Sequence, residues 1–182
     1  MTDPVDHTLV ASPKAILETA AATQYLTFLL HDELYGIELQ YVREIISHTK
    51  PTPVPMMPPF MLGVINLRGH AVPVIDLSQR FEGLATTIQK RSCVVILDGN
   101  NQEFGIITDA VKAVISLNPN QIEPPPNFGL GLRHNFTSGM AKDENGFTVL
   151  LDVNRLFLQS DAATSIAVQQ SLSNPGDTGS TP

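Results

Sequence analysis

The sequence predicts an all-β fold in which a unit of short strands occurs twice, each copy closing into a small barrel and the two packing side by side. Three observations carry that prediction. Apolar runs of strand length alternate with turn signals through the middle of the chain. Blocks of the first half return in the same order in the second. Each copy alone stands near the lower limit for a self-sufficient core, so its apolar face needs the other copy.

In chain order, residues 25–30 (YLTFLL) and 35–39 (YGIEL) flank His31-Asp32-Glu33 and form the first hairpin signal. The run PTPVPMMPPF (51–60) is a rigid connector, because proline fixes φ and donates no ladder bond. After VPVID (72–76), Asp76 is placed to cap one helical turn, DLSQRF. A second hairpin joins residues 93–97 and 104–107 around the turn Asp98-Gly99-Asn100-Asn101, where an Asp-Gly step is expected to supply the positive φ that a tight hairpin needs. Pro124-Pro125-Pro126 is the second connector. Asn145-Gly146 opens a third hairpin before residues 147–151, and Asp152 is placed to cap DVNRLF as Asp76 caps its counterpart. Residues 1–23 and 161–182 have the polar composition of flexible tails, with one short helical turn over 13–18 capped by Ser12. The domain is predicted over 24–160, with lobes built mainly from about 25–85 and 90–158.

The duplication is visible in two frames. YGIELQYVREII (35–46) matches FGIITDAVKAVI (104–115), and VPVIDLSQRF (72–81) matches TVLLDVNRLF (148–157), with Gly63 matching Gly139 in the second frame. Places where the copies disagree are candidates for function. Between Gly63 and Asp76 the first copy reads VINLRGHAVPVI, whereas the second has the ordinary polar tip MAKDENGFTVLL. Asn66-Leu67-Arg68-Gly69 therefore puts a leucine and an arginine where solvent favours Asp, Glu or Asn. Arg68 has two readings: an interface donor, or a surface arginine pairing back onto Asp76 or Glu44. Glu44 stands where the other copy has Ala113, while Val42 and Ile45 match Val111 and Val114. An apolar strip carrying one acid suits a docking surface, and equally a core strip with a solvated glutamate.

Chemistry of other kinds finds little support. The formal charge is −7, from 11 Lys and Arg against 18 Asp and Glu, which opposes binding to a nucleic-acid backbone. Charged residues make up 16% of the chain, against roughly 25% in ordinary soluble domains. So low a charge content points to surfaces that partners cover. The single cysteine, Cys93, excludes an internal disulfide and fits a reducing compartment. No secretory leader is recognisable near Met1, and no apolar run approaches the roughly 20 residues of a membrane span, so a cytoplasmic location without membrane insertion is expected. The five histidines show no metal-ligand spacing, and no phosphate loop, dinucleotide loop or nucleophile elbow occurs. No cofactor, metal or catalytic residue is predicted, and binding is a better class than catalysis.

YGIELQYVREI, the proline-rich connector, GVINLRGHAVPVIDL, and FGIITDAV followed by IEPPP together resemble the CheW-type coupling proteins of bacterial chemosensory arrays. The resemblance spans about residues 23–160 and is most specific in the GxxNLRGxxxPxxDL block. It implies two SH3-like five-stranded barrels, no enzyme activity, and two protein partners. These are the regulatory domain of a CheA-type histidine kinase and the helical hairpin tip of a chemoreceptor. Carried onto this chain, receptor-binding positions fall on Glu44, Ile45, Arg68, Gly105 and Val111, with Val42 and Gly63 nearby. With Asn66, Leu67 and Gly69 of the hairpin tip they make up the expected protein-binding set. A helix laid between the barrels would use Val42, Ile45 and Val111 as walls, with charged residues setting its register. Flagellar and twitching-motility or other chemosensory systems both remain open. The competing class is a small-barrel ligand-binding protein or enzyme.

Overall fold

Three tight turns begin the fold. In the computed structural model, which describes residues 21–126, 132–144 and 146–157, His31-Asp32, Arg68-Gly69 and Asn100-Asn101 all hold positive φ. Each is a two-residue loop flanked by paired strand residues, Leu30 with Glu33, Leu67 with His70, and Gly99 with Gln102. Positive φ at both loop positions is the type I′ pattern, whose twist suits antiparallel strands. The loops close hairpins β1–β2 (Thr23–Leu30, Glu33–Glu38), β4–β5 (Met61–Leu67, His70–Asp76) and β6–β7 (Cys93–Gly99, Gln102–Thr108). Strands β3 (Val42–Ser47), β8 (Ala110–Leu117), β9 (Ile122–Glu123), β10 (Thr137–Asp143) and β11 (Gly146–Leu151) complete the set. Three short helices follow β5, precede β10 and follow β11: α1 (Leu77–Glu82), α2 (Leu132–Phe136) and α3 (Val153–Leu156). The segments expected to be tails fall mostly outside the described residues, as does the helical turn expected at 13–18.

Two sheets result, one ordered β8-β1-β2-β11-β10-β9 and the other β3-β6-β7-β5-β4. Each sheet takes most of its strands from one copy of the repeat and one hairpin from the other. The first copy's β1–β2 lies among strands of the second, and the second copy's β6–β7 lies among strands of the first. The junctions are parallel and equivalent: Val74 pairs with Gly105 where Leu150 pairs with Gly36. The lobes are thus joined by a reciprocal exchange that halves cut at the repeat boundary do not contain.

Each sheet is rolled up by its own edge strand. Beyond β3 the chain crosses to the far edge, where Thr52 and Val64 exchange backbone bonds of 2.8 and 2.9 Å. Beyond β8 the chain turns into β9, which pairs with β10 at Ile122 and Glu123. The matched glycines lie under these straps. A Cβ on Gly63, whose φ is +128°, would come within 2.0 Å of the Thr52 carbonyl oxygen, and one on Gly139 within 2.6 Å of Ile122.

Apolar side chains segregate into three clusters. Ile65, Val72, Val74, Val94, Ile96 and Ile107 fill the interior of the five-stranded sheet. Tyr25, Leu117, Ala141 and Leu150 fill that of the other. The largest cluster lies between the sheets, where Leu26, Phe28, Tyr35 and Ile37 meet Val95, Leu97, Phe104 and Ile106. Stacking of Phe104 on Phe157, 4.9 Å between ring centres, adds aromatic packing to it. Asp76 and Asp152 cap α1 and α3, accepting from Gln79 N at 3.1 Å and Asn154 N at 3.0 Å. Asp76 is buried and also accepts both the backbone N–H and the hydroxyl of Thr86, which ties down the connection between the copies.

Candidate protein-docking site

The strip expected to dock a partner is shaped by a bulge in β3. Val42 and Ile45 are three residues apart, an odd spacing that puts side chains on opposite faces of a regular strand. Here the register shifts between Val42 and Glu44, so Val42 faces Leu97 and Ile45 faces Val95, while Glu44 and Ile46 face Ile96 and Val94. Residues opposite one another share a face. Leu97 and Val95 belong to the core between the barrels, so the bulge turns Val42 and Ile45 together toward that core. Val42 packs against it, and Ile45 remains 45% exposed at its rim.

Strand β8 repeats the device. Val111 faces Phe28 and Val114 faces Leu26, across a register shift that the Thr27 hydroxyl patches by donating to Ala113 O at 2.8 Å and accepting from Ala113 N. Val111 packs on the same central core, and Val114 is exposed. The inter-barrel core thus gathers Val42 and Val111 around itself, one from each sheet, with Ile45 exposed beside Val42 on the same face of β3.

Glu44 and Arg68 meet in a two-pronged ion pair, Nη1 to Oε1 at 2.8 Å and Nη2 to Oε2 at 2.9 Å. Of the partners expected for Arg68 on its own barrel, Glu44 is taken and the buried Asp76 is not. The arginine side chain nevertheless remains 74% exposed. It sits at φ 50° on the β4–β5 turn, a position that favours asparagine or glycine. Asn66 and Gly69 serve that turn, with Asn66 Oδ1 accepting from Gly69 N at 2.9 Å, and Leu67 packs on the barrel interior. Gly63 and Gly105 lie below the surface. A Cβ on Gly105 would come within 2.7 Å of Val94 and 3.4 Å of Val74, so this glycine lets the exchanged hairpin seat against β5.

Beside the Glu44–Arg68 pair is an open cleft of about 410 Å³ lined by Arg43, Glu44, Arg68, Asp98, Asn101 and Glu103. Arg43, pushed outward on the bulged strand, donates its Nε to Asp98 Oδ2 at 3.1 Å, and its Nη2 reaches the same oxygen. The Asp98 hydrogen bond, then its charge, raise the guanidinium pKa further above its ordinary value, and Glu103 adds to this. Arg43, Asp98 and Glu103 were not among the residues expected from the sequence. The available signal was the second hairpin itself, whose register sets Asp98 directly opposite Glu103. Among the described residues, no group of three His, Cys, Asp or Glu side chains is placed to hold a metal ion, and no helix is long and apolar enough to cross a membrane.

The model of the CheW-like domain matches residues 24–161. The chain belongs to the CheW-like domain family. It is 32% identical to the chemotaxis protein CheW of Klebsiella aerogenes over 140 residues, covering 77% of this chain and 84% of that protein. Identity to the CheW of Treponema pallidum is 30% over 138 residues, covering 74% and 81%. The crystal structure of the scaffolding protein TtCheW from Thermoanaerobacter tengcongensis matches with a TM-score of 0.70 at 34% identity, covering 77% of this chain and 90% of that one. This CheW-like protein is a chemotaxis coupling adaptor, a scaffold and not an enzyme, of a family that couples chemoreceptors with the CheA kinase.

Proposed function

We propose that this chain seats the helical hairpin tip of a chemoreceptor against the rim of the inter-barrel core, and that the regulatory domain of a CheA-type kinase docks end-on to the barrels, in the cytoplasm. Val42, Ile45 and Val111 are the apolar contacts for the receptor helix, and Glu44 and Arg68 set its register. Asn66, Leu67 and Gly69 shape the turn that carries Arg68, and Gly63 and Gly105 hold the strands beneath.

The observation that carries this reading is the conformation of Arg68, a long cationic side chain on a tight turn at positive φ with most of its surface in solvent. A turn selected for stability alone takes asparagine there, because its short polar side chain tolerates the left-handed region that a type I′ turn requires. Local strain of this kind persists where the side chain is needed. The test is receptor-dependent autophosphorylation of the kinase with Arg68→Ala and Glu44→Lys proteins. Loss of activation together with loss of receptor affinity is expected. Unchanged activation and unchanged affinity overturn the assignment.

A further inference from the structure

The open cleft next to the Glu44–Arg68 pair holds more negative than positive charge. Arg68 is matched by Glu44 and Arg43 by Asp98. Glu103 also lines the cleft and forms no ion pair of its own among the described residues, although its charge is felt at Arg43. Its place is unfavourable for folding, since it stands directly across the antiparallel ladder from Asp98 and like charges so opposed destabilise a hairpin. The cleft is bounded on one side by the residues assigned to receptor docking and on the other by the β6–β7 hairpin.

We propose that Glu103 is a specificity-determining residue of the docking site and accepts a lysine or arginine of the chemoreceptor helix, with the Arg43–Asp98 pair fixing where that cation sits. The proposal rests on the docking reading above. A partner cation supplies the one charge the cleft lacks and relieves the Asp98–Glu103 opposition on binding. A partner acid placed against Glu103 meets the one carboxylate that no arginine of the cleft matches and is disfavoured, which is how a charged rim selects among similar apolar helices. Arg43 already occupies Asp98, so the carboxylate left for an incoming cation is that of Glu103.

The experiment measures binding of the soluble cytoplasmic fragment of a chemoreceptor from the same source to the full chain, at low and at raised salt. Glu103→Gln should weaken binding about two- to fivefold, the range of an exposed ion pair. Glu103→Lys should weaken it about tenfold or more and flatten the salt dependence. Neither change should lower the melting temperature, because residue 103 is only partly buried on the hairpin and a lysine there faces Asp98. Capture of the kinase regulatory domain should be unaffected. If Arg68→Ala abolishes receptor binding while Glu103→Lys binds within twofold of the parent, the proposal falls and the docking reading stands. If Arg68→Ala also binds normally, the docking reading itself falls. A Glu103→Lys protein that loses the kinase domain but keeps the receptor overturns the proposal as well.

Discussion

Replacing Arg68 with asparagine separates what the β4–β5 turn contributes to folding from what it contributes to binding. Arg68-Gly69 becomes Asn-Gly, the preferred pair for a type I′ turn. A non-glycine side chain in the left-handed region costs about 1–2 kcal/mol, and asparagine recovers part of this. Against that gain stands the lost ion pair with Glu44. Its two-pronged geometry is good, but the arginine is 74% exposed, so solvent screening holds its contribution to about 0.5–1 kcal/mol. The two nearly cancel, and urea unfolding should find the variant as stable as the parent or more stable by up to about 1 kcal/mol. Receptor affinity should fall about 30-fold, the roughly 2 kcal/mol of an interface hot spot. A variant destabilised by more than about 1 kcal/mol would show that the ion pair outweighs the backbone strain. Parental receptor affinity would show that the strained arginine does not serve docking.

Two further outcomes follow from the packing and the titrating groups. Gly63→Ala puts a methyl group where the Thr52 carbonyl already is, at a φ of +128° that alanine resists. Opening the Thr52–Val64 strap costs two backbone bonds, so the loss should reach about 3 kcal/mol by urea unfolding; a loss below about 1 kcal/mol means that the strap is not the closure of the barrel. At alkaline pH, Tyr25 should make stability fall. Burial, and then the Glu38 charge, raise its pKa above the ordinary value of 10.0. Below pH 10 both states keep the phenolic proton, whereas above it the unfolded chain ionises first, so stability is lost as pH rises through the folded value. Tyr25→Phe should flatten that alkaline slope, and an unchanged slope assigns it to other groups.

Much of the architecture was legible because it depends on local chemistry. Two of the expected hairpins turn where they were placed, at His31-Asp32 and within 98–101, although in the second the positive φ falls on Asn100-Asn101 and not on the Asp-Gly step, while Asn145 of the third lies outside the described residues. Asp76 and Asp152 cap α1 and α3 as their positions before an apolar residue and a short polar stretch require. The matched glycines were visible as matches, but their cause was not. Gly63 and Gly139 lie under closing straps, and Gly36 and Gly105 lie at the parallel junctions, places that no local pattern marks. Arg68 and Glu44 stood out because the copies differ there. Arg43, Asp98 and Glu103 did not, because a cleft made by three separate elements has no sequence period.

From sequence alone came the all-β class, the duplication, the turn chemistry and the arginine at a hairpin tip. Each follows from which side chains tolerate which backbone angles, and from apolar alternation over a few residues. Only the tertiary structure decided which hairpin enters which sheet. The two copies carry the same apolar pattern, and ladder hydrogen bonds form equally well between strands of either copy. That choice belongs to packing between residues far apart in the chain, seen in the core where Leu26, Phe28, Tyr35 and Ile37 close against Val95, Leu97, Phe104 and Ile106. The same packing placed Val111 against the core on which Val42 also packs, and so brought the two halves of the repeat together at the proposed docking surface.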